Sequence, residues 1–307
     1  MKYDKKKYNA VIVLLVIIIA VSIWAPTIMW EDYASGEQGE EYVPPVVDSD
    51  KEKEEENRQT YNFKTASAAL KQGNENLAKQ GGHISTLKGG ADLNASYAGF
   101  VGVSFMFDFD SYKYKTEDID FFKVSIGSRG LPVYKLDLDN YCSTVSDSLL
   151  ISYNVDRSDN EEKQREFNVP DFINKNGMLP AENWLNFGTN DIISSRIESY
   201  PNYQKVIMKL QPEALKGVGN CVLTPVVIRN EYKITGTIDM ILYISRYGDI
   251  LNAQYTIPSE LILYAPFGVI KSTGNFNISE TFYDVNYEPV LSDYNFITEK
   301  YPFLLPA

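Results

Sequence analysis

From residue 10 to residue 30 the sequence carries no charged side chain, and positions 12–19 form a nearly continuous run of Val, Leu and Ile. A helix needs about 20 mostly apolar residues to cross the hydrocarbon core of a bilayer, so this block predicts one transmembrane helix over 10–30. Trp24 and Trp30 suit the far interface, where amphipathic indoles settle, and Pro26 is tolerated near that end. Lys2, Lys5, Lys6 and Lys7 precede the block, whereas Glu31 and Asp32 follow it. The positive-inside rule then places residues 1–9 in the cytoplasm and the long remainder outside the cell. A cleaved signal peptide would have a shorter apolar core and a small-x-small site close behind it. Here Ala25 is flanked by Trp24 and Pro26, and Ala34-Ser35-Gly36 comes late. The expectation is an uncleaved, single-pass anchor in the cell membrane.

Beyond the anchor the composition changes twice. Residues 31–60 hold eleven acids against Lys51, Lys53 and Arg58, which leaves −8 of the chain's −12 on this one segment. With Pro44-Pro45 and little apolar content, it cannot bury enough surface to offset ordering, and its like charges extend it. It reads as an acidic disordered stalk. Residues 61–307 then read as one extracytoplasmic, mostly-β domain. No Lys/Arg cluster occurs there, so a nucleic-acid partner is not expected. The two cysteines, Cys142 and Cys221, show no CxxC spacing; in an oxidising compartment they either pair or stay as small buried groups. The lysine-rich start and the Asn/Tyr/Ile-rich composition have a bacterial look.

Periodicity supplies the elements. Residues 65–80 predict a helix, with Ala66, Ala69, Leu70, Leu77 and Ala78 on one face and Gly81-Gly82 as its stop. From Leu93 the period becomes two, with Val103, Phe105, Phe107 and Phe109 on one side and Ser104, Asp108 and Asp110 on the other. Residues 127–130 predict a hairpin turn between strands at 119–126 and 132–138, and 149–155 predict a further strand. A charged loop is expected over 156–166 and a helical interlude over 170–197. A strand at 203–210 and a short helical turn at 212–215, ended by Gly217, come next. Ile234, Ile238, Met240, Leu242 and Ile244 alternate with polar residues, and a turn at 245–249 leads to strands at 250–257 and 276–287. The fold class expected is α+β: a curved antiparallel sheet with a few helices on one side.

Catalytic chemistry finds little support. The only histidine, His83, reads as a solvated loop residue with no metal or triad partners at a useful spacing. Asp108/Asp110, Asp118/Asp120 and Asp137/Asp139 could each face one way on a strand, but no further oxygen ligands follow in calcium-loop order. Solvated edge positions explain them equally well. A hydrolase using these carboxylates is the weakest of three readings. No catalytic residue, metal site or cofactor is expected.

Two stretches carry a resemblance. Residues 203–215, YQKVIMKLQPEAL, run from a strand into a short helix, and residues 237–250, TIDMILYISRYGDI, give a strand, a polar turn and a return strand. With the helix ahead of the first strands, this order resembles the LolA-like class of bacterial envelope proteins. That resemblance implies a half-open antiparallel barrel with helices over its mouth, no catalysis, and binding of acyl chains or a protein partner. The anchor departs from the class and suits a tethered binder better than a shuttle. The leading expectation is a non-enzymatic binding domain for a lipid or acyl chain, with a concave face lined by Val103, Phe105, Ile238 and Met240. The alternative is a scaffold that binds another envelope protein through an exposed patch or strand edge.

Overall fold

The computed structural model describes residues 58–97, 100–129, 137–158, 160–226, 230–265 and 268–306. The anchor over 10–30 and nearly all of the stalk over 31–60 lie outside them. Among the described residues no helix is long and apolar enough to cross a membrane.

Helix α1 spans Ala66–Lys79, and the Thr65 hydroxyl caps it by accepting from the Ala68 N–H at 3.2 Å. Ala66, Ala69, Leu70 and Leu77 are buried as expected, joined by Gly73, whereas Ala78 is exposed. After Gly81, at φ +75°, the chain enters the sheet at once. Five strands follow: β1 (Gly82–Tyr97), β2 (Phe100–Thr116), β3 (Asp120–Arg129), β4 (Asp137–Ser146) and β5 (Leu149–Asp156). Then come β6 (Glu162–Asn168), helix α2 (Val169–Asn176), β7 (Ile192–Ser199), β8 (Tyr203–Leu210) and helix α3 (Lys216–Val226). The chain ends with β9 (Asn230–Ile234), β10 (Ile238–Ser245), β11 (Ile250–Ala265), β12 (Gly268–Tyr283) and helix α4 (Glu288–Lys300).

The strands form one twelve-stranded antiparallel sheet in the order β6-β5-β4-β3-β2-β1-β12-β11-β10-β8-β7, with β9 pairing a distant part of β11. It is open and curved, since the edge strands β6 and β7 are not neighbours. Both faces are dry. On the inner face, Leu87, Val206, Met208, Leu242, Tyr255 and Ile257 pack with α1 and with Trp184 and Leu185 from residues 177–188. Further along that face, Phe107, Val124, Leu138 and Leu150 pack with α2 and α3. The outer face is covered by α4: Tyr294 meets Tyr114 and Phe121 edge-on at 5.2 and 5.0 Å.

Several expectations change. Residues 82–92 are strand rather than approach to one, because Gly89 interrupts the apolar alternation where an added Cβ would lie 2.4 Å from the Asn277 carbonyl oxygen. Gly127, Ser128 and Arg129 continue β3 against β2, so they form no turn; Gly130 and 131–136 lie outside the described residues. The charged stretch ends in edge strand β6, whose side chains are polar except Phe167, which meets Phe172 of α2 edge-on at 5.4 Å. Of the helical interlude only α2 and one 3₁₀ turn, Thr189–Asp191, are helical among the described residues; 192–199 is edge strand β7, where Ser194, Ser195 and Arg196 blur the alternation. Gly217 does not stop the turn at 212–215. It lies inside α3, where an added Cβ would sit 2.9 Å from the Asn176 carbonyl oxygen, so its role is close packing on α2. The last strand ends at Tyr283, and α4 was not expected.

Candidate functional site: the inner face of the sheet

Extending the period of two along the dry side of each central strand puts two charges where apolar residues should be. On β2 the inner series Phe107, Phe109, Ser111 runs on to Lys113. On β12, Glu280 falls between Ile278 and Phe282. Lys113 Nζ donates to Glu280 Oε1 at 2.8 Å, and both side chains are 0% exposed. Ser85 of β1, directly across from Lys113, donates to Oε1 at 2.7 Å, and the Tyr255 hydroxyl of β11 donates to Oε2 at 3.2 Å. Four strands therefore converge on one carboxylate. The ammonium also sits 3.7 Å from the centre of the Trp184 ring, a cation–π contact strengthened by desolvation. Burial pushes the Lys113 ammonium below its ordinary range, and the Glu280 carboxylate pushes it back.

Trp184 is brought here by residues 177–188, which are tied to α1. Asn74 donates to the Leu185 carbonyl oxygen at 3.1 Å, and Asn183 donates to Asn74 Oδ1 at 2.9 Å. The indole Nε1 is buried and has no hydrogen-bond partner among the described residues; the same holds for Nε2 of His83. His83 is not a loop residue. It lies on β1 with Ser85 and is 5% exposed, its ring centre 6.2 Å from that of Phe282. Burial, then Lys113, lowers its pKa from 6.5 to about 4, so it is neutral at pH 7.

Ile238 and Met240 lie two residues apart on β10, across from Leu210 and Met208, and are 0% and 1% exposed within the core that holds Trp184. Val103 and Phe105 belong to β2, in register with Ala95 and Leu93; their side chains lie outside the described residues. The sheet order sets β2 four strand positions from β10, roughly 19 Å at a spacing of ~4.8 Å. The ladder therefore does not bring the two pairs together.

The aspartate pairs do not converge. Asp108 and Asp110 are exposed, Asp120 is paired with Lys115, and Asp137 and Asp139 face Arg157 at 2.7 and 3.7 Å. Among the described residues no group of three or more His, Cys, Asp or Glu could hold a metal ion. Cys142 and Cys221 are buried and unpaired in the same part of the core, and burial pushes the Cys221 thiol up to about 12. They act as small apolar groups.

In fold, the chain is similar to a LolA superfamily protein from Nitrosomonas europaea of known crystal structure. The likeness covers 70% of this chain and 93% of that one, at 8% sequence identity and a TM-score of 0.23. A superposition this loose sets no side chain of one against a side chain of the other. No protein-family model and no curated protein matches the sequence.

Proposed function

We propose that this protein is a non-enzymatic, membrane-tethered binding domain outside the cell, and that its inner face takes a lipid or acyl chain. One observation carries this reading. The dry inner face is covered by short separate pieces, α1, α3 and residues 177–188, rather than by a second sheet. Such a cover can part without breaking a strand ladder, whereas a sandwich core cannot. With Ile238 and Met240 packed under it, binding there requires the cover to move and a chain to replace its contacts. The test is to purify residues 58–307 without the anchor, extract bound lipid and weigh it by mass spectrometry. Discrete acyl-bearing masses near one per protein support the reading. An empty protein that also takes up no added fatty acid sinks it.

A scaffold role is the second reading, and one observation favours it. Phe296 on α4 is 64% exposed, and Phe303 and Leu305 are exposed close behind it. An apolar strip of this kind suits a protein partner. Pull-down with the full chain and with Phe296→Ser tests it: partners lost in the variant support docking at α4.

A further inference from the structure

The ion pair under Trp184 is poorly explained by stability. Taking both charges from water costs more than their attraction returns, and well-packed apolar residues of similar volume usually do as well or better. The hydrogen-bonding balance of the cluster is also one-sided. Both oxygens of Glu280 are engaged, by Ser85 and Lys113 on one and by Tyr255 on the other. An ammonium has three N–H donors, and among the described residues the acceptor for Lys113 is Glu280 alone, with the Trp184 ring over the rest. The Trp184 Nε1–H, buried in the same cluster, has no acceptor among the described residues. The ammonium and the indole N–H are both donors, so an acceptor would complete them; His83 Nε2, also buried without a partner among the described residues, donates or accepts according to its tautomer.

Resting on the apolar-ligand reading above, we infer that this cluster is a polar subsite: residues 177–188 lift to admit an acyl-chain ligand and close over it, and Lys113 and the Trp184 indole N–H then hold its anionic head group, a carboxylate or a phosphate. The tail then lies along the core around Met208 and Met240, which the same segment covers. Glu280 stays in place as the acceptor that keeps the lysine charged and aimed. Closing the cover with no ligand leaves the indole N–H unsatisfied; closing it over an acidic head group does not.

The test uses the full chain in a fluorinated surfactant that does not compete with hydrocarbon tails. Three radiolabelled probes of equal chain length are bound to it: oleate, oleyl phosphate and oleyl alcohol. The expected result is that at least one anion binds tenfold or more tighter than the alcohol, the preferred anion identifying the head group. In Lys113→Met/Glu280→Leu, checked for cooperative unfolding, that gap should vanish. Trp184→Phe keeps a ring over the ammonium but removes the donor; it should narrow the gap severalfold and serves if the double variant does not fold. Equal binding of all three probes, or a gap that survives both variants, overturns the subsite while leaving the apolar reading intact. Binding of none overturns both.

Discussion

Lys113 is the residue at which the cost of a lost partner and the worth of the pair can be told apart. In Lys113→Ala, Glu280 remains in the core with only the Ser85 and Tyr255 hydroxyls to hold it. An uncompensated buried charge costs about 3–5 kcal/mol. Lys113→Met/Glu280→Leu removes both charges at similar volume and should unfold at the same denaturant concentration as the parent, or a higher one. A double variant as unstable as the single one would show that the pair itself holds the sheet together. His83 gives a second handle, through pH. Its pKa is about 4 in the folded protein and 6.5 as its ordinary value, so between these values the unfolded chain binds a proton that the folded one refuses. Its contribution is complete above pH 6.5 and drains away as pH falls toward 4, by up to about 3 kcal/mol. Urea unfolding across that range, compared with His83→Leu, should show a steeper decline in the parent; parallel curves would mean the imidazole is wet.

Elements could be read where one face was dry and the other wet, and were lost where both faces were alike. β8 was found at its correct limits because the buried Val206, Met208 and Leu210 alternate with the less buried Lys205, Ile207 and Lys209. The polar edges β6 and β7 carry no such contrast; only their backbone ladders to β5 and β8 make them strands. Helix α4 was missed because its apolar side chains sit among aromatic and polar neighbours that also suit a strand. The polar half of the inner face was legible in principle. Carrying the β2 alternation from Phe109 two steps further lands on Lys113, a charge on a dry face. Packing by absence of side chain was not legible: Gly73 of α1 lies so close to β11 that an added Cβ would be 2.5 Å from Ile250 Cγ1. Gly73→Val should therefore lift the helix from the sheet and cost about 1–3 kcal/mol, although helix propensity alone favours Val over Gly. Amide exchange would show the loss concentrated in α1 and β10–β11. Uniform loss across the sheet would argue that α1 is no separate piece of the cover.

At the scale of the whole molecule, the contacts of residues 58–61 bear on the proposed tether. Arg58 donates to both carboxylate oxygens of Asp249, at 2.6 and 2.8 Å, and lies over the Tyr247 ring at 4.9 Å; three residues on, the Tyr61 N–H donates to the Arg246 carbonyl oxygen at 2.7 Å. The chain is thus fastened to the β10–β11 turn directly after the acidic stretch, so if that stretch is a stalk, a pull on it would reach the sheet at that turn. If the lysines ahead of residue 10 hold that end inside and the apolar block stays in the bilayer, all of the stalk faces out. A glutamate-specific protease added to intact cells should then cut among Glu37, Glu40, Glu41, Glu52, Glu54, Glu55 and Glu56 and release one fragment that starts between residues 38 and 57. Glu280, buried in the sheet, is out of reach until the fragment unfolds. Asp249→Ala should leave the cuts where they are but loosen residues 58–64, seen as faster amide exchange there. A chain that stays whole until the cells are permeabilised would place the domain on the inner side and remove the tethered reading altogether.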